Sequence, residues 1–355
     1  MSKYIPFLKL KSNEIIAINE LNTSVLNKIT PFFDYPRSSK LPTNAQFEQT
    51  TKRLSKSLLK HIGLDKELYF DNFDLIDDLN INGVHNYYFF LQSLSDHNII
   101  PVLGIDRTDK HSLAVEQALN DQHISSNVIA FRILPQDFDN YAVFQGEIEE
   151  TLEDVIEKFE NIDLIFDCRL CTTLNPEKTA KDIVQFAEKF INDYETRRII
   201  VTGSSIPASI GEILHTNSSC AIDRNELNIF KKVQGEKEEL NFIFGDYTTV
   251  SPYYSDFNID PKILQNIIAA KISYSFDDKH YFIRGGSIKA NGLQQYSTLA
   301  DDLCNKPFYR GSSYSTGDNY FEAKKLKQGN NCTPSTIIKP SVVSHITYMV
   351  NGSVI

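Results

Sequence analysis

The chain has 355 residues with a hydrophobic fraction of 41%, enough for a sizeable core and compatible with one large barrel domain as well as with two smaller ones. Lys and Arg total 36 against 46 Asp and Glu, a net charge of −10, which argues against general nucleic-acid binding. No apolar run approaches the 18 residues of a membrane span, the opening Met1-Ser2-Lys3-Tyr4-Ile5-Pro6 has no leader-like apolar core, and five scattered cysteines do not make a disulfide framework, so a cytosolic setting is expected.

Taken in chain order, the first apolar run covers residues 4–10, and Ser12 or Asn13 can cap a helix carrying Ile15, Ile16, Ile18 and Leu21. The next run, 30–34, precedes a helix with Phe47, Leu54, Leu58 and Ile62 at helical spacing and Gly63 as its stop. Weaker strand character follows over 67–75, then clearer runs over 99–105 and 128–134. Ile148, Leu152, Val155, Ile156 and Phe159 form one helical stripe. Strands are predicted over 162–168 and 198–203, around a helix with Asn175 as cap and Pro176 in its first position. The eighth strand is predicted over 240–246. Beyond residue 270 the pattern changes to a hairpin around Asp277-Asp278, a helix near Leu293–Leu303, a Gly/Ser-rich loop at 310–318 and a last strand over Ser344–Val350.

Eight strand–helix alternations predict a (β/α)8, TIM-barrel-like α/β fold. Its barrel would cover residues 1–270, and residues 271–355 would form a strand-containing extension packed on it, within one structural domain. In such a barrel the C-terminal strand ends converge on one pocket. Here they carry Lys9 and Lys11, Asp34 and Arg37, Asp71 and Asp74, Asp106 and Arg107, Arg132, Asp167 and Arg169, Ser204, and Asp246. Lys9, Lys11, Asp34, Arg37, Arg132, Asp167, Arg169 and Asp246 are expected to gather there. Mixed acids and bases in one cup suit a polar or phosphorylated anion clamped by Arg and Lys, and equally suit an ion network that satisfies itself.

Asp34, Asp106, Asp167 and Asp246 offer hard oxygen ligands, but no histidine stands at a strand end, so neither a metal nor another cofactor is expected. Cys168-Arg169-Leu170-Cys171 is a single C-x-x-C at a strand end, read as two free thiols. Gly203-Ser204-Ser205-Ile206-Pro207 can bring backbone N–H groups to a phosphate or can be a tight turn. The segment Tyr309 to Asp318 can fold over the barrel mouth or stay a solvated loop. His85 and His97, beside an aromatic helix, read as structural or surface residues. H-E-x-x-H, G-x-S-x-G and G-x-G-x-x-G are all missing, which removes the commonest peptidases, esterases and dinucleotide enzymes.

Tyr4 to Lys11 with Glu14, then Ile29-Thr30-Pro31-Phe32-Phe33, resemble the start of the Beta protein family of prophages and satellite phages. Phe244-Gly245-Asp246-Tyr247, Ile283-Arg284-Gly285-Gly286-Ser287, Gln295-Tyr296 and Tyr309-Arg310-Gly311 through Gly317-Asp318 are similar to that family too. The matching positions Lys9, Lys11, Asp246, Arg284, Tyr309, Arg310, Gly311 and Asp318 join the candidate site on this ground. Members lie in mobile elements and defence loci, some beside a toxic gene. The resemblance thus implies a component of an anti-phage defence or toxin-control module, sensing a ligand or a partner protein from the same locus. The alternative is a barrel enzyme acting on a phosphorylated small molecule or nucleotide. An anionic small molecule is expected as ligand, and no membrane contact.

Overall fold

Eight parallel strands close a barrel in the computed structural model, which describes residues 2–38, 40–153, 155–254, 268–352 and 355. The first seven are β1 (Tyr4–Lys9), β2 (Phe32–Asp34), β3 (Leu68–Asp71), β4 (Ile99–Leu103), β5 (Val128–Ile133), β6 (Asn161–Leu170) and β7 (Thr196–Ser204). An inserted strand β8 (Ser218–Asp223) comes before the eighth barrel strand, β9 (Ile243–Asp246), which pairs with β7 and closes on β1. All eight predicted barrel strands are present, each followed in the sheet by its chain neighbour. Their near-continuous apolar character follows from burial on both faces, as a parallel sheet covered by helices requires.

Helices α1 (Ser12–Asn19), α2 (Asn44–His61), α3 (Asn86–Ser93), α4 (Asp109–Asn120), α5 (Tyr141–Glu153), α6 (Pro176–Asp193) and α7 (Asn225–Glu236) form the outer layer. Thr43 caps α2 in a reciprocal capping box with Gln46, and Gly63 ends the segment at φ +90°, where a side chain would be strained. Asn175 accepts the Lys178 N–H at 3.0 Å and Pro176 opens α6, as the sequence indicates. At α1 the expected side-chain cap does not form: the chain turns at Lys11 with no side-chain hydrogen bond.

The extension is built on the hairpin β10 (Ala269–Phe276) and β11 (Lys279–Ser287), with Asp277 at φ +43° in its turn. Strand β8, from the loop after β7, adds antiparallel to β11 and was not foreseen, because its side chains alternate between half-buried and exposed and carry little apolar signal. Helices α8 (Gln295–Cys304) and α9 (Thr316–Lys325) cover this sheet, around a second core of Ile272, Tyr274, Leu299, Leu303 and Phe321. The predicted last strand over Ser344–Val350 is corrected: the segment is helix α10 (Ile338–Asn351). Its β-branched residues suggested a strand, but nearly every side chain from Pro340 to Val350 is buried, and a helix buried all round shows no polar stripe. Val342, Val343, Ile346 and Met349 join the barrel's outer core, so α10 packs as the barrel's closing helix and the hairpin lobe is inserted before it.

Candidate functional site

Inside the barrel, Ile5 and Phe7, Phe32, Tyr69, Ile100 and Val102, Val128 and Ala130, Ile165, Ile200 and Tyr247 form a dry stack. Side chains alternate along a strand with period two. Two residues beyond Phe7, Phe32, Tyr69, Ala130 and Ile165 stand Lys9, Asp34, Asp71, Arg132 and Asp167. Register keeps three of them level: Lys9 pairs with Asp34, and Asp34 with Asp71. The apolar stack therefore ends in a charged tier at the C-terminal mouth. Just beyond β4, Gly104 lets the chain pass close to β5 at this level, since a Cβ there would lie 2.8 Å from the Arg132 carbonyl oxygen.

Arg132 is the hub. Its Nη1 donates to Asp71 at 2.7 Å and Asp34 at 3.1 Å, its Nε and Nη2 reach Asp167 Oδ2 at 3.0 and 2.5 Å, and Nη2 also donates to the Tyr247 hydroxyl at 2.8 Å. Tyr247 in turn donates to Asp167 Oδ2 at 2.6 Å. Lys9 joins Asp34 at 3.2 Å to Asp74 at 2.5 Å, and Arg107 donates to both Asp71 oxygens at 3.0 Å. Arg169 donates to the Tyr247 oxygen at 2.9 Å and the Pro252 carbonyl at 3.0 Å, and its own backbone N–H reaches Asp167 Oδ1 at 2.9 Å. It does so at φ +50°, in a bulge that departs from regular pairing with β7. Such left-handed backbone away from glycine is stored strain that the surrounding contacts must hold. Four cations, Lys9, Arg107, Arg132 and Arg169, thus meet Asp34, Asp71, Asp74 and Asp167, and Arg107 also holds Asp106 at 3.3 Å.

Aromatic faces cover this network. Phe73 lies over the guanidinium groups of Arg169, Arg132 and Arg107 at 4.3, 4.4 and 4.8 Å. Tyr253 stands 5.0 Å from Arg169, and the Tyr254 ring lies 4.8 Å from Arg37, 5.3 Å from Lys9 and 5.9 Å from Lys11. Lys11 and Arg37 are exposed and form the rim. Burial opposes ionisation of Asp34, but Lys9 and then Arg132 and Arg169 outweigh it and hold the carboxyl down at about 2. For Asp167 burial is likewise outweighed, by Arg132 and Arg169, and its carboxyl is lowered. Burial raises Asp71 against the pull of Arg107 and Arg132, and the neighbouring Asp34 charge adds to the rise.

Of the expected site, Lys9, Asp34, Arg132, Asp167 and Arg169 meet in the cup, with Lys11 and Arg37 at its edge. Asp246 does not. It precedes the inward Tyr247, so period-two alternation turns it outward, where Tyr4 donates to it at 2.5 Å, Arg224 at 2.5 Å, and His345 Nε2 lies 3.0 Å away. From there a buried chain runs on. Ser275 Oγ sits 2.6 Å from His345 Nδ1 and 2.9 Å from His280 Nδ1, and His280 Nε2 lies 3.5 Å from Glu226.

Arg284, Tyr309, Arg310 and Asp318 are also outside the cup and hold the lobe together. Arg284 donates to the Leu214 carbonyl, and Tyr309 donates to the Asp318 carbonyl at 2.9 Å. Asp318 accepts from Tyr274 at 2.7 Å. The Arg310 guanidinium lies between the Tyr274 and Tyr348 rings, 4.3 Å from each, and donates to the Ser275 carbonyl and Ser344 Oγ. The 309–318 segment therefore buttresses hairpin against helix instead of covering the mouth.

At the end of β7, Ser204 donates to the Val250 carbonyl at 3.1 Å, and in the loop after it Ser205 donates to Glu226 at 2.5 Å, the geometry of a braced turn. Cys168 and Cys171 are buried free thiols. Among the described residues no group of three or more His, Cys, Asp or Glu is placed to hold a metal ion. Sequence reading passed over Tyr247, Phe73, Tyr253 and Tyr254, and the His280–Ser275–His345 chain. For Tyr247 the sequence held no signal, since a strand buried on both faces shows no alternation to tell Asp246 from Tyr247.

A family profile described as Beta protein matches residues 4–351. No curated protein matches the chain in sequence. Among solved structures, a family 18 chitinase from Crocus vernus is similar at 10% identity, over 68% of this chain and 91% of that one, with a TM-score of 0.35. The apo 3-keto-D-glucoside 4-epimerase from E. coli is similar at 9% identity, over 74% and 96%, with a TM-score of 0.31. No helix among the described residues is long and apolar enough to cross a membrane.

Proposed function

The chain belongs to the Beta protein family, and from that premise we propose that it is a component of an anti-phage defence or toxin-control module of the cytosol, sensing an anionic ligand or a partner protein from the same locus through its barrel mouth. The observation that carries this reading is the ion network around Arg132, itself buried and already shared among Asp34, Asp71 and Asp167. A catalytic cup needs groups free to meet a reacting atom. A sensing cup needs two arrangements that a ligand can bias. Here an arriving anion competes with a carboxylate for Lys9, Arg132 or Arg169, and a displaced carboxylate moves the strand end or loop that carries it. Breaking a buried pair costs about 3–5 kcal/mol, so only a ligand that replaces the lost contacts can shift the balance.

The test pairs a cell assay with a melt. Arg169→Ala, made in cells carrying the native locus, is expected to abolish phage protection or toxin control while the purified variant, destabilised by the lost clamp, still melts cooperatively above the temperature of the cell assay. An unchanged phenotype with an unchanged melt defeats the proposal. A melting temperature that falls below that of the cell assay assigns Arg169 to holding the fold.

A further inference from the structure

We propose that the Tyr254 ring and the Asp74 carboxylate are intramolecular stand-ins for a nucleotide, a planar ring bearing phosphate, that binds at the rim of the mouth in their place. The inference rests on the reading of the mouth as a sensing cup and names the class of ligand it senses. Its ground is the company Tyr254 keeps. One ring, outside the barrel wall, is surrounded by Lys9 at 5.3 Å, Lys11 at 5.9 Å and Arg37 at 4.8 Å. Its hydroxyl donates to Asp74 Oδ2 at 3.0 Å, and the same oxygen takes Lys9 Nζ at 2.5 Å. A flat π-face and an adjoining anion thus already occupy a three-cation rim.

A nucleotide offers the same two features in stronger form. A nucleobase presents a larger face to Arg and Lys than a phenol ring does. A phosphate carries more charge than a carboxylate and accepts from Arg and Lys together. Charge matching favours the exchange. With Asp74 withdrawn, Lys9 keeps Asp34 as its one ion pair among the described residues, and Lys11, exposed beside the same ring, adds a positive charge. Tyr253, 49% exposed beside Arg169, and Phe73 over three guanidinium groups continue the alternation of aromatic faces and cations that a ring-bearing anion would meet. A bare anion would use the cations and leave the faces without a role.

Calorimetric titration of the full chain with ADP, adenosine and pyrophosphate tests this. If Tyr254 competes with the ligand, Tyr254→Ala binds ADP at least tenfold more tightly than wild type. On that variant adenosine and pyrophosphate each bind at least tenfold more weakly than ADP, and adding Lys11→Ala removes most of the gain. Should Tyr254→Ala melt abnormally, Asp74→Asn, which removes the competing charge and keeps the shape, must show the tightening instead. Unchanged or weaker ADP binding in a normally melting variant overturns the proposal, and so does pyrophosphate binding as tightly as ADP. Because these titrations use purified protein, they separate from the cell assay. Tight ADP binding beside an unaffected phenotype in Arg169→Ala sinks the defence role and leaves the nucleotide site standing. The opposite pair of results sinks the nucleotide and leaves the role.

Discussion

Arg132 and Asp167 are joined twice through one oxygen, with the guanidinium Nε at 3.0 Å and Nη2 at 2.5 Å from Asp167 Oδ2. The same guanidinium also serves Asp34 and Asp71, so one side chain neutralises carboxylates from three strands. Arg132→Ala would leave these acids buried with only Lys9, Arg107 and Arg169 beside them. We expect a loss of at least about 3 kcal/mol in urea unfolding, the scale of breaking a buried ion pair. A loss below about 1 kcal/mol would show that the network relaxes or takes in water.

Arg169 makes its contacts from a left-handed backbone at φ +50°. Glycine adopts that conformation freely and alanine does not. Arg169→Gly should therefore unfold at higher urea than Arg169→Ala, by about 1 kcal/mol in stability, although both lose the same clamp. Equal midpoints would mean that the bulge relaxes once the guanidinium is gone and stores no strain.

His280 is fully buried, and burial, outweighing the pull of Glu226, lowers it to about 4. An unfolded histidine titrates near 6.5. The folded value is the lower one, so the stability it contributes is complete above about pH 6.5 and is lost as pH falls toward 4. The loss is on the order of 3 kcal/mol. Melting temperatures of wild type and His280→Gln between pH 7 and pH 4.5 check the sign, with wild type expected to fall further than the variant. Parallel curves would remove His280 from the acid response.

Gly203 lies where a Cβ would stand 2.4 Å from Cys171 Sγ and 3.1 Å from Cys168 Cβ. Gly203→Ala should destabilise by about 1–3 kcal/mol through overpacking. Removing the sulfur in Cys171→Ala should recover part of that. A double-mutant cycle with coupling of at least about 1 kcal/mol is expected, and additive losses would show that the clash is relieved elsewhere.

The barrel was legible because strand and helix periods differ and because caps such as Asn175-Pro176 mark their own boundaries. The charged mouth was legible in part. Lys9, Asp34, Arg132, Asp167 and Arg169 stand at strand ends, and the fold brings strand ends together. Which way each end points was not. A strand buried on both faces has no polar alternation to reveal its parity, so Asp246 and Tyr247 looked alike until the barrel turned Tyr247 in and Asp246 out toward His345.

Local sequence thus determined the elements, since backbone preference and hydrophobic period act within a few residues. Tertiary structure alone decided the rest. It made Ser344–Val350 part of a helix by burying it on nearly every side, against the strand preference of its β-branched residues. It drew β8 out of a polar stretch by pairing it with β11, 56 or more residues later. It also set which cation meets which carboxylate, because the partners of Arg132 lie on strands 35, 61 and 98 residues away, and only closure of the barrel brings them within hydrogen-bond reach.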